Sequence, residues 1–151
     1  MKARGSKRVA RWALAGLVVV LVLIQFVPVD RSNPPAGEEL PFPAEVRSIL
    51  AGSCFDCHSH ETAWPWYSRI APASWLIAHD VAEGREELNF STWSEMSERD
   101  RAEAIEEIWE EVEEGEMPLW YYLPAHPEAR LSDGERAVLR SWALAAGRES
   151  P

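Results

Sequence analysis

The longest apolar stretch of the chain lies near its amino end. It runs from Trp12 to Val29, eighteen residues without a charged side chain. At a rise of about 1.5 Å per residue it predicts about 27 Å of helix, close to the hydrocarbon thickness of a bilayer. We therefore predict that residues 1–29 form a helix that crosses a membrane once.

Beyond this stretch, apolar residues recur at the spacing of amphipathic helices, and no segment shows the period-two alternation of a half-buried strand. Capping residues, glycines and prolines mark the helix ends. The pattern predicts four helices: from Ala44 to about Ser53, from Pro72 to near Gly84, from just after Ser97 to Gly115, and from the capping box at Ser132 to Gly147. The chain is therefore predicted to be all-α, with one small helical domain over residues 44–148.

The segment between the apolar stretch and this domain has a different composition. Residues 30–43 hold four of the eleven prolines and show no helical periodicity. We expect them to form an extended, Pro-rich linker outside the core. A length of 151 residues leaves room for one domain, and 46% apolar with 26% charged residues is a globular balance that excludes disorder.

Charge is distributed unevenly along the chain. The formal net charge is -10, yet five basic residues precede Trp12, so the remainder carries 10 minus 25, or -15. By the positive-inside rule, the amino end stays in the cytoplasm and the domain lies on the periplasmic side of the inner membrane. A cleaved signal peptide is the alternative, and it gives the same compartment. So acidic a domain is not expected to bind nucleic acid.

Directly after the first domain helix comes Cys54-Phe55-Asp56-Cys57-His58, the C-x-x-C-H pattern of covalent haem c attachment. Two thiols on one helical turn can form thioethers with the two vinyl groups on one edge of the porphyrin. The following imidazole then lies under the iron. We predict one covalent haem c, attached at Cys54 and Cys57, with His58 as the proximal ligand.

Three other roles for the cysteine pair are weighed against haem attachment. A thioredoxin-like redox pair would follow a strand, and none is predicted here. A structural zinc site needs two further ligands, and only His60 is close. A plain disulfide across two intervening residues would be strained and would leave His58 unexplained. Export favours haem c, because thioether attachment is an extracytoplasmic process.

The sequence offers several candidates for the sixth ligand of the iron. Met117 lies in a Gly-Glu-Met-Pro segment, where the proline can hold the side chain in place. A thioether opposite histidine is the arrangement of electron-carrying cytochromes c. Met96 lies in a polar segment, and His60 is too close to the proximal histidine. We predict Met117 as the distal ligand, with His126 and then His79 as alternatives.

Aromatic and basic residues soon after the motif are candidates for the haem edge. Trp66 and Tyr67 could line the porphyrin or bond a propionate, and Arg69 could pair with a propionate. Core packing for the aromatics and a solvated surface position for the arginine are the alternatives. The carbonyl of Pro65 or Ala71 is expected to accept the Nδ1 proton of the proximal histidine.

Several motifs between about Pro43 and Gly147 together resemble the bacterial haem-binding domain family of small exported proteins with C-x-x-C-H. The motifs are Cys54-Phe55-Asp56-Cys57-His58-Ser59, Pro65-Trp66-Tyr67, Ala71-Pro72 with Trp75, Glu83-Gly84-Arg85, Asn89-Phe90-Ser91 with Trp93, Gly115-Glu116-Met117-Pro118-Leu119, and His126-Pro127 with Ala129. The chain is more loosely similar to class I cytochromes c, in which the first and last helices cross beside the haem. The resemblance implies one covalent haem c and redox use.

These patterns favour a membrane-anchored, extracytoplasmic, mono-haem c-type cytochrome that carries electrons. Residues 98–116 hold ten acidic side chains, which form either a solvated helix face or a docking face for a cationic redox partner. The alternative function is a haem-based gas or redox sensor, or a haem enzyme, with a displaceable sixth ligand. No nucleophile or carboxylate pair indicates catalysis, so we expect a carrier rather than an enzyme.

Overall fold

The computed structural model describes residues 2–38 and 40–149, and within these ranges it contains helices and no strand. The prediction of an all-α chain is confirmed. The six α-helices are α1 (Lys2–Leu23), α2 (Ala44–Ser53), α3 (Phe55–His58), α4 (Ala73–Glu87), α5 (Glu98–Glu114) and α6 (Asp133–Glu149). Short 3-10 helices cover Ile24–Phe26, Trp66–Arg69, Phe90–Glu95 and Pro127–Ala129.

The amino-terminal helix is apolar over most of its length. The window Lys7–Phe26 has 20 residues and a mean hydropathy of 2.2, and none of it is buried within the protein. A helix of this length and composition could cross a membrane. Among the described residues, it is the one helix with these properties.

By its internal contacts the chain divides into two compact units. The first comprises Met1–Ser32 with Trp64–Asp80, and the second comprises Asn33–Ala63 with Val81–Pro151. The C-x-x-C-H motif, α5 and α6 therefore belong to the second unit, and the apolar helix α1 belongs to the first.

Within the first unit, one side chain near the end of the apolar stretch and one just beyond it bond to a distant segment. The Gln25 side chain accepts the backbone N–H of Ala71 at 2.9 Å and donates to its carbonyl at 3.2 Å. Arg31 donates to the carbonyl of Ser68 at 3.1 Å. These hydrogen bonds satisfy backbone groups at the end of the 3-10 helix Trp66–Arg69 and just after it.

The core of the second unit is formed by α2, α5 and α6, with α6 packed on both of the other helices. Leu50 on α2 and Leu139 on α6 are fully buried at its centre. The buried cluster consists of Leu40, Val46, Ile49, Leu50, Phe90, Trp93, Ala104, Ile108, Val112, Leu131 and Leu139. Each helix thus buries the apolar face that its sequence spacing predicts.

Part of the Pro-rich segment belongs to this core. Leu40 is 8% exposed, and the Phe42 ring lies 4.9 Å from the rings of both Trp93 and Trp142. The expectation that the whole of residues 30–43 stays outside the core is therefore wrong at its end. Prolines on both sides of Phe42 hold the backbone extended, and the apolar side chains between them still gain by burial. The domain boundaries themselves stay predictions.

Helix ends follow the capping residues more closely than the glycines. The Ser97 hydroxyl accepts the N–H of Asp100 at 3.2 Å and begins α5 as predicted. Gly115, with φ of 81°, ends it in the left-handed conformation. The predicted stops at Gly84 and Gly147 are wrong, because α4 and α6 continue past them. Gly115 is the one described glycine with positive φ, and a glycine in right-handed conformation does not end a helix.

Candidate haem-binding site

The attachment motif begins where the direction of the helix changes. α2 ends at Ser53, and Cys54 departs from helical geometry with φ of -126°. Its carbonyl accepts the N–H groups of Cys57 at 3.2 Å and His58 at 3.0 Å, which closes the single turn of α3. Both thiols and the imidazole therefore lie on one turn, and the two thiols are not joined in a disulfide.

The electrostatic environment of this turn does not favour a redox-active cysteine pair. Burial, together with the neighbouring Cys57 thiol, raises the pKa of Cys54 to about 12. A thioredoxin-like nucleophile has a lowered pKa instead.

Among the described side chains, no group of three or more His, Cys, Asp or Glu residues could hold a metal ion. This finding disfavours structural zinc at the motif.

His58, the predicted proximal ligand, is oriented by carbonyl groups at the carboxyl end of α4 and just after it. His58 Nδ1 lies 2.8 Å from the carbonyl oxygen of Gly84 and 3.1 Å from that of Leu88. Because carbonyl oxygens only accept, Nδ1 carries the proton and donates it. The negative end of the helix dipole favours this donor. Nε2 is then the nitrogen that can bind iron.

The expected acceptors for this proton are occupied elsewhere. The carbonyl of Pro65 accepts the backbone N–H and the hydroxyl of Ser68. The carbonyl of Ala71 accepts the amide of Gln25. The expectation that Pro65 or Ala71 orients His58 is therefore wrong, because Gly84 on α4 and Leu88 just after α4 supply the carbonyls.

Gly84 has a packing role that sequence analysis missed. A Cβ at this position would lie 2.9 Å from the carbonyl oxygen of Cys57 and 3.1 Å from its Cβ. Both distances are shorter than ordinary van der Waals contact. The glycine therefore lets α4 approach the attachment turn closely enough for its carbonyl to reach His58.

The chain after the motif is fixed by a buried serine and by Arg85 on α4. Ser59 is 1% exposed, and its hydroxyl donates to the carbonyl of Phe55 at 2.8 Å. The Arg85 guanidinium donates to the Ser59 carbonyl at 2.8 Å, and to Thr62 Oγ1 and Asn33 Oδ1 at 2.9 Å each. A planar guanidinium can satisfy three acceptors at once, so α4 holds this loop as well as the imidazole.

His60 is held through both ring nitrogens. Its Nδ1 donates to the carbonyl of Pro35 at 2.9 Å, and its Nε2 accepts the amide of Asn89 at 2.9 Å. This pairing assigns the neutral tautomer. A ring engaged on both sides has no nitrogen left for iron, which supports leaving His60 out of the ligand set.

Met117 lies just beyond α5 in the second unit, which also contains His58. Its backbone N–H donates to the carbonyl of Glu111 at 3.1 Å, and its side chain is partly buried. Its role as distal ligand stays a prediction. Met96 packs against the core cluster, which gives that methionine a structural role.

The alternative distal ligands have different surroundings. His126 stacks on Tyr122 with ring centroids 4.0 Å apart and planes at 6°, and its Nδ1 lies 3.2 Å from a carboxylate oxygen of Glu128. His79 is exposed on the part of α4 that belongs to the first unit. Both stay alternatives to Met117.

The expected haem-edge residues form a 3-10 helix in the first unit. Trp66 is 75% exposed, and its ring lies edge-on to that of Tyr67 at 5.7 Å. Tyr67 is partly buried and Arg69 is exposed. A contact of these residues with haem stays a prediction.

One residue inside the motif makes contacts that the sequence did not indicate. Asp56 Oδ1 accepts the N–H of Ala63 at 2.8 Å, and Oδ2 accepts the hydroxyl of Tyr122 at 2.7 Å. No sequence signal joins Asp56 to a tyrosine 66 residues away. The contact depends on the tertiary fold.

Comparison with protein families agrees with this geometry. The family described as haem-binding domain matches residues 19–145, which is most of the chain. The chain belongs to the haem-binding domain family. Comparison with the curated proteins gave no match, and neither did comparison with the solved structures. The match begins inside α1.

The residues present fit the group that the family name implies. The glycine at position 84 provides the close approach that the oriented imidazole needs, and His58 Nε2 is set by its tautomer to bind iron. Cys54 and Cys57 lie on the same turn and are not joined in a disulfide. These are the positions from which one haem could be held by two thioethers and one imidazole.

Proposed function

We propose that this haem-binding domain protein is a membrane-anchored, extracytoplasmic, mono-haem c-type cytochrome that transfers electrons. Cys54 and Cys57 form the thioethers, His58 is the proximal ligand and Met117 is the distal ligand. The observation that carries the proposal is the hydrogen bonding of His58 Nδ1 to two carbonyls at 2.8 and 3.1 Å, next to two cysteines on the same turn.

Fixed ligand geometry suits electron transfer. When bound, haem supplies a one-electron couple between ferric and ferrous iron. The carbonyls of Gly84 and Leu88 keep the imidazole in one orientation in both states and increase its basicity. A thioether from Met117 on the other side raises the potential and closes the site to external ligands.

Two features support the proposed membrane anchor and the proposed cationic redox partner. The helix that could cross a membrane carries five basic residues before Trp12, and the positive-inside rule then directs the rest of the chain outward. All ten acidic side chains of residues 98–116 are exposed. A surface of this charge attracts a cationic redox partner over a long range, in a manner that salt weakens.

Substitution of Met117 tests the proposed ligand set. We expect the oxidised protein to show the weak red-region absorption of a sulfur–iron bond and the reduced protein to resist carbon monoxide. Met117→Ala should abolish the band, admit carbon monoxide and lower the potential, and it should leave the covalent haem in place. Met96→Ala is the matched control: it loses core packing and some stability, but it should keep the sulfur–iron band and the resistance to carbon monoxide.

Two results would contradict this ligand set. An unchanged spectrum in Met117→Ala would refute the methionine and promote His126, then His79. Ready binding of carbon monoxide by the wild type would favour the sensor or enzyme alternative, which needs a displaceable sixth ligand.

The proposed orientation has its own test. Protease added to intact spheroplasts should digest the domain beyond residue 30, because the five basic residues before Trp12 hold the amino end in the cytoplasm. Permeabilised spheroplasts serve as the control for protease activity. Complete protection in the intact spheroplasts would contradict the orientation.

A further inference from the structure

Asp56 connects the attachment motif to two other segments of the second unit. It lies between Cys54 and Cys57 and uses its two carboxylate oxygens separately. Oδ1 accepts the N–H of Ala63 at 2.8 Å, and Oδ2 accepts the hydroxyl of Tyr122 at 2.7 Å. A bond from a hydroxyl to a carboxylate is charge-assisted and stronger than a bond between neutral groups.

Tyr122 lies on the same segment as Met117. The segment is held at one end on α5, where the N–H of Met117 donates to the carbonyl of Glu111 at 3.1 Å. A turn follows, in which the N–H of Tyr122 donates to the carbonyl of Leu119 at 3.0 Å. The tyrosine hydroxyl then holds the other end of the turn on Asp56.

The Tyr122 ring is itself fixed. It stacks on His126 with 4.0 Å between centroids and 6° between planes. The backbone N–H of His126 also donates to the carbonyl of Tyr122 at 3.1 Å. The hydroxyl is therefore presented to Asp56 by a ring whose direction is set by its own neighbours, and little entropy is lost in forming the bond.

We propose that Tyr122 is a positioning residue for the distal ligand. Its bond to Asp56 holds the segment that carries Met117 against the motif that carries the cysteines and His58. The inference rests on the proposed ligation by Met117. Without the hydroxyl, the segment stays attached through α5 and samples more conformations in which the thioether is away from the iron. An external ligand then competes more easily, in proportion to the population of the open state.

The population of this open state is measured by imidazole binding to the oxidised, haem-loaded full chain in detergent. In Tyr122→Phe we expect imidazole to bind about tenfold more tightly than in the wild type, which corresponds to about 1.4 kcal/mol. The sulfur–iron band should disappear at a correspondingly lower imidazole concentration. Tyr121→Phe is the matched control. It removes a hydroxyl from the adjacent exposed tyrosine, keeps the ring paired edge-on with Trp120, and should bind imidazole like the wild type.

Asp56→Asn provides a second variant at the other end of the bond. Asparagine has one acceptor oxygen where Asp56 uses two, so its oxygen can stay on the N–H of Ala63 while its NH2 donates to the tyrosine oxygen. This bond lacks the charge of the carboxylate and is weaker, so imidazole affinity should lie between those of the wild type and Tyr122→Phe.

Wild-type imidazole affinity in Tyr122→Phe would overturn the inference. If the denaturation midpoint falls at the same time, the bond between Tyr122 and Asp56 is purely structural. A sulfur–iron band that survives in Met117→Ala would refute the proposed ligand itself and the positioning role of Tyr122 with it. Loss of the band in Met117→Ala, together with no effect of Tyr122→Phe, would refute only the positioning role.

Discussion

Replacing Gly84 by alanine tests whether α4 must approach the attachment turn as closely as the structure indicates. The new Cβ would lie 2.9 Å from the carbonyl oxygen of Cys57, 3.1 Å from its Cβ and 3.2 Å from its carbonyl carbon. Ordinary contacts are about 3.5–4.0 Å, so α4 has to retreat by roughly half an ångström. Two of the three clashing atoms belong to the backbone, and the backbone has little freedom to move aside. The retreat lengthens the hydrogen bond of 2.8 Å between His58 and Gly84.

The expected magnitude combines three effects. Overpacking costs about 1–3 kcal/mol, and a weakened hydrogen bond costs about 1 kcal/mol. Alanine in place of glycine inside a helix contributes up to about 1 kcal/mol in the opposite direction. We expect Gly84→Ala to lower the free energy of unfolding by about 1–3 kcal/mol. A less basic His58 imidazole should also raise the reduction potential by about 30 mV. For one electron, about 59 mV is a tenfold change in the equilibrium constant of reduction, so about 30 mV is a change of about threefold.

Guanidinium denaturation followed by haem absorption, together with a redox titration, measures both effects. The matched control is Gly52→Ala on α2, where a Cβ would meet nothing within 4 Å. That variant should be as stable as the wild type, or more stable by up to about 1 kcal/mol, with an unchanged potential. If Gly84→Ala is stabilised like the control and keeps the wild-type potential, the close packing of α4 on Cys57 is not needed to orient His58.

Three further predictions concern the covalent attachment of haem, the hydrogen bonds of Arg85 and the stability of the protein in acid. Cys54→Ala with Cys57→Ala should lose the haem stain that the wild type keeps on a denaturing gel, and wild-type haem that extracts into acidified solvent would contradict a covalent bond. Arg85→Lys should lower the free energy of unfolding by about 1–3 kcal/mol, because an ammonium cannot bond the three acceptors of the guanidinium in one plane. Chemical denaturation measures this loss, and a loss below this range would contradict the role given to the guanidinium. Hydrogen bonds from the backbone N–H and the hydroxyl of Ser132 lower the pKa of Glu135 below its ordinary value. The ionised Glu135 side chain therefore stabilises the folded protein above about pH 4.3, and this contribution is lost as the pH falls through the lowered pKa. The stability difference between wild type and Glu135→Ala, measured by urea denaturation, should accordingly vanish in acid, and a difference that persists there would assign the effect to helix propensity.

Local sequence signals were enough to predict most of the helical structure. The N-cap at Ser97 and the capping box at Ser132 begin α5 and α6, because these hydrogen bonds are made within one turn. The limits of α2 also agree with its apolar spacing. Glycine was a weaker guide, since it ends a helix only in the left-handed conformation, which Gly115 adopts and Gly84 does not.

The C-x-x-C-H motif could be predicted from sequence, but the groups that orient its histidine could not. The spacing of Cys54, Cys57 and His58 is local, and one helical turn brings the three together. The acceptors of His58 Nδ1 lie 26 and 30 residues further along the chain, and their approach depends on the missing side chain of Gly84. The same limit applies to the bond between Asp56 and Tyr122, which only the packing of distant segments creates.

The most direct test of the account is the optical spectrum of the purified full chain, oxidised and reduced, with and without carbon monoxide. We predict the spectrum of one low-spin haem c, with the weak red-region sulfur–iron band when oxidised and no change on adding carbon monoxide when reduced. A reduced spectrum that shifts at once with carbon monoxide, or a preparation that carries no haem, would contradict a cytochrome with both axial positions filled by His58 and Met117.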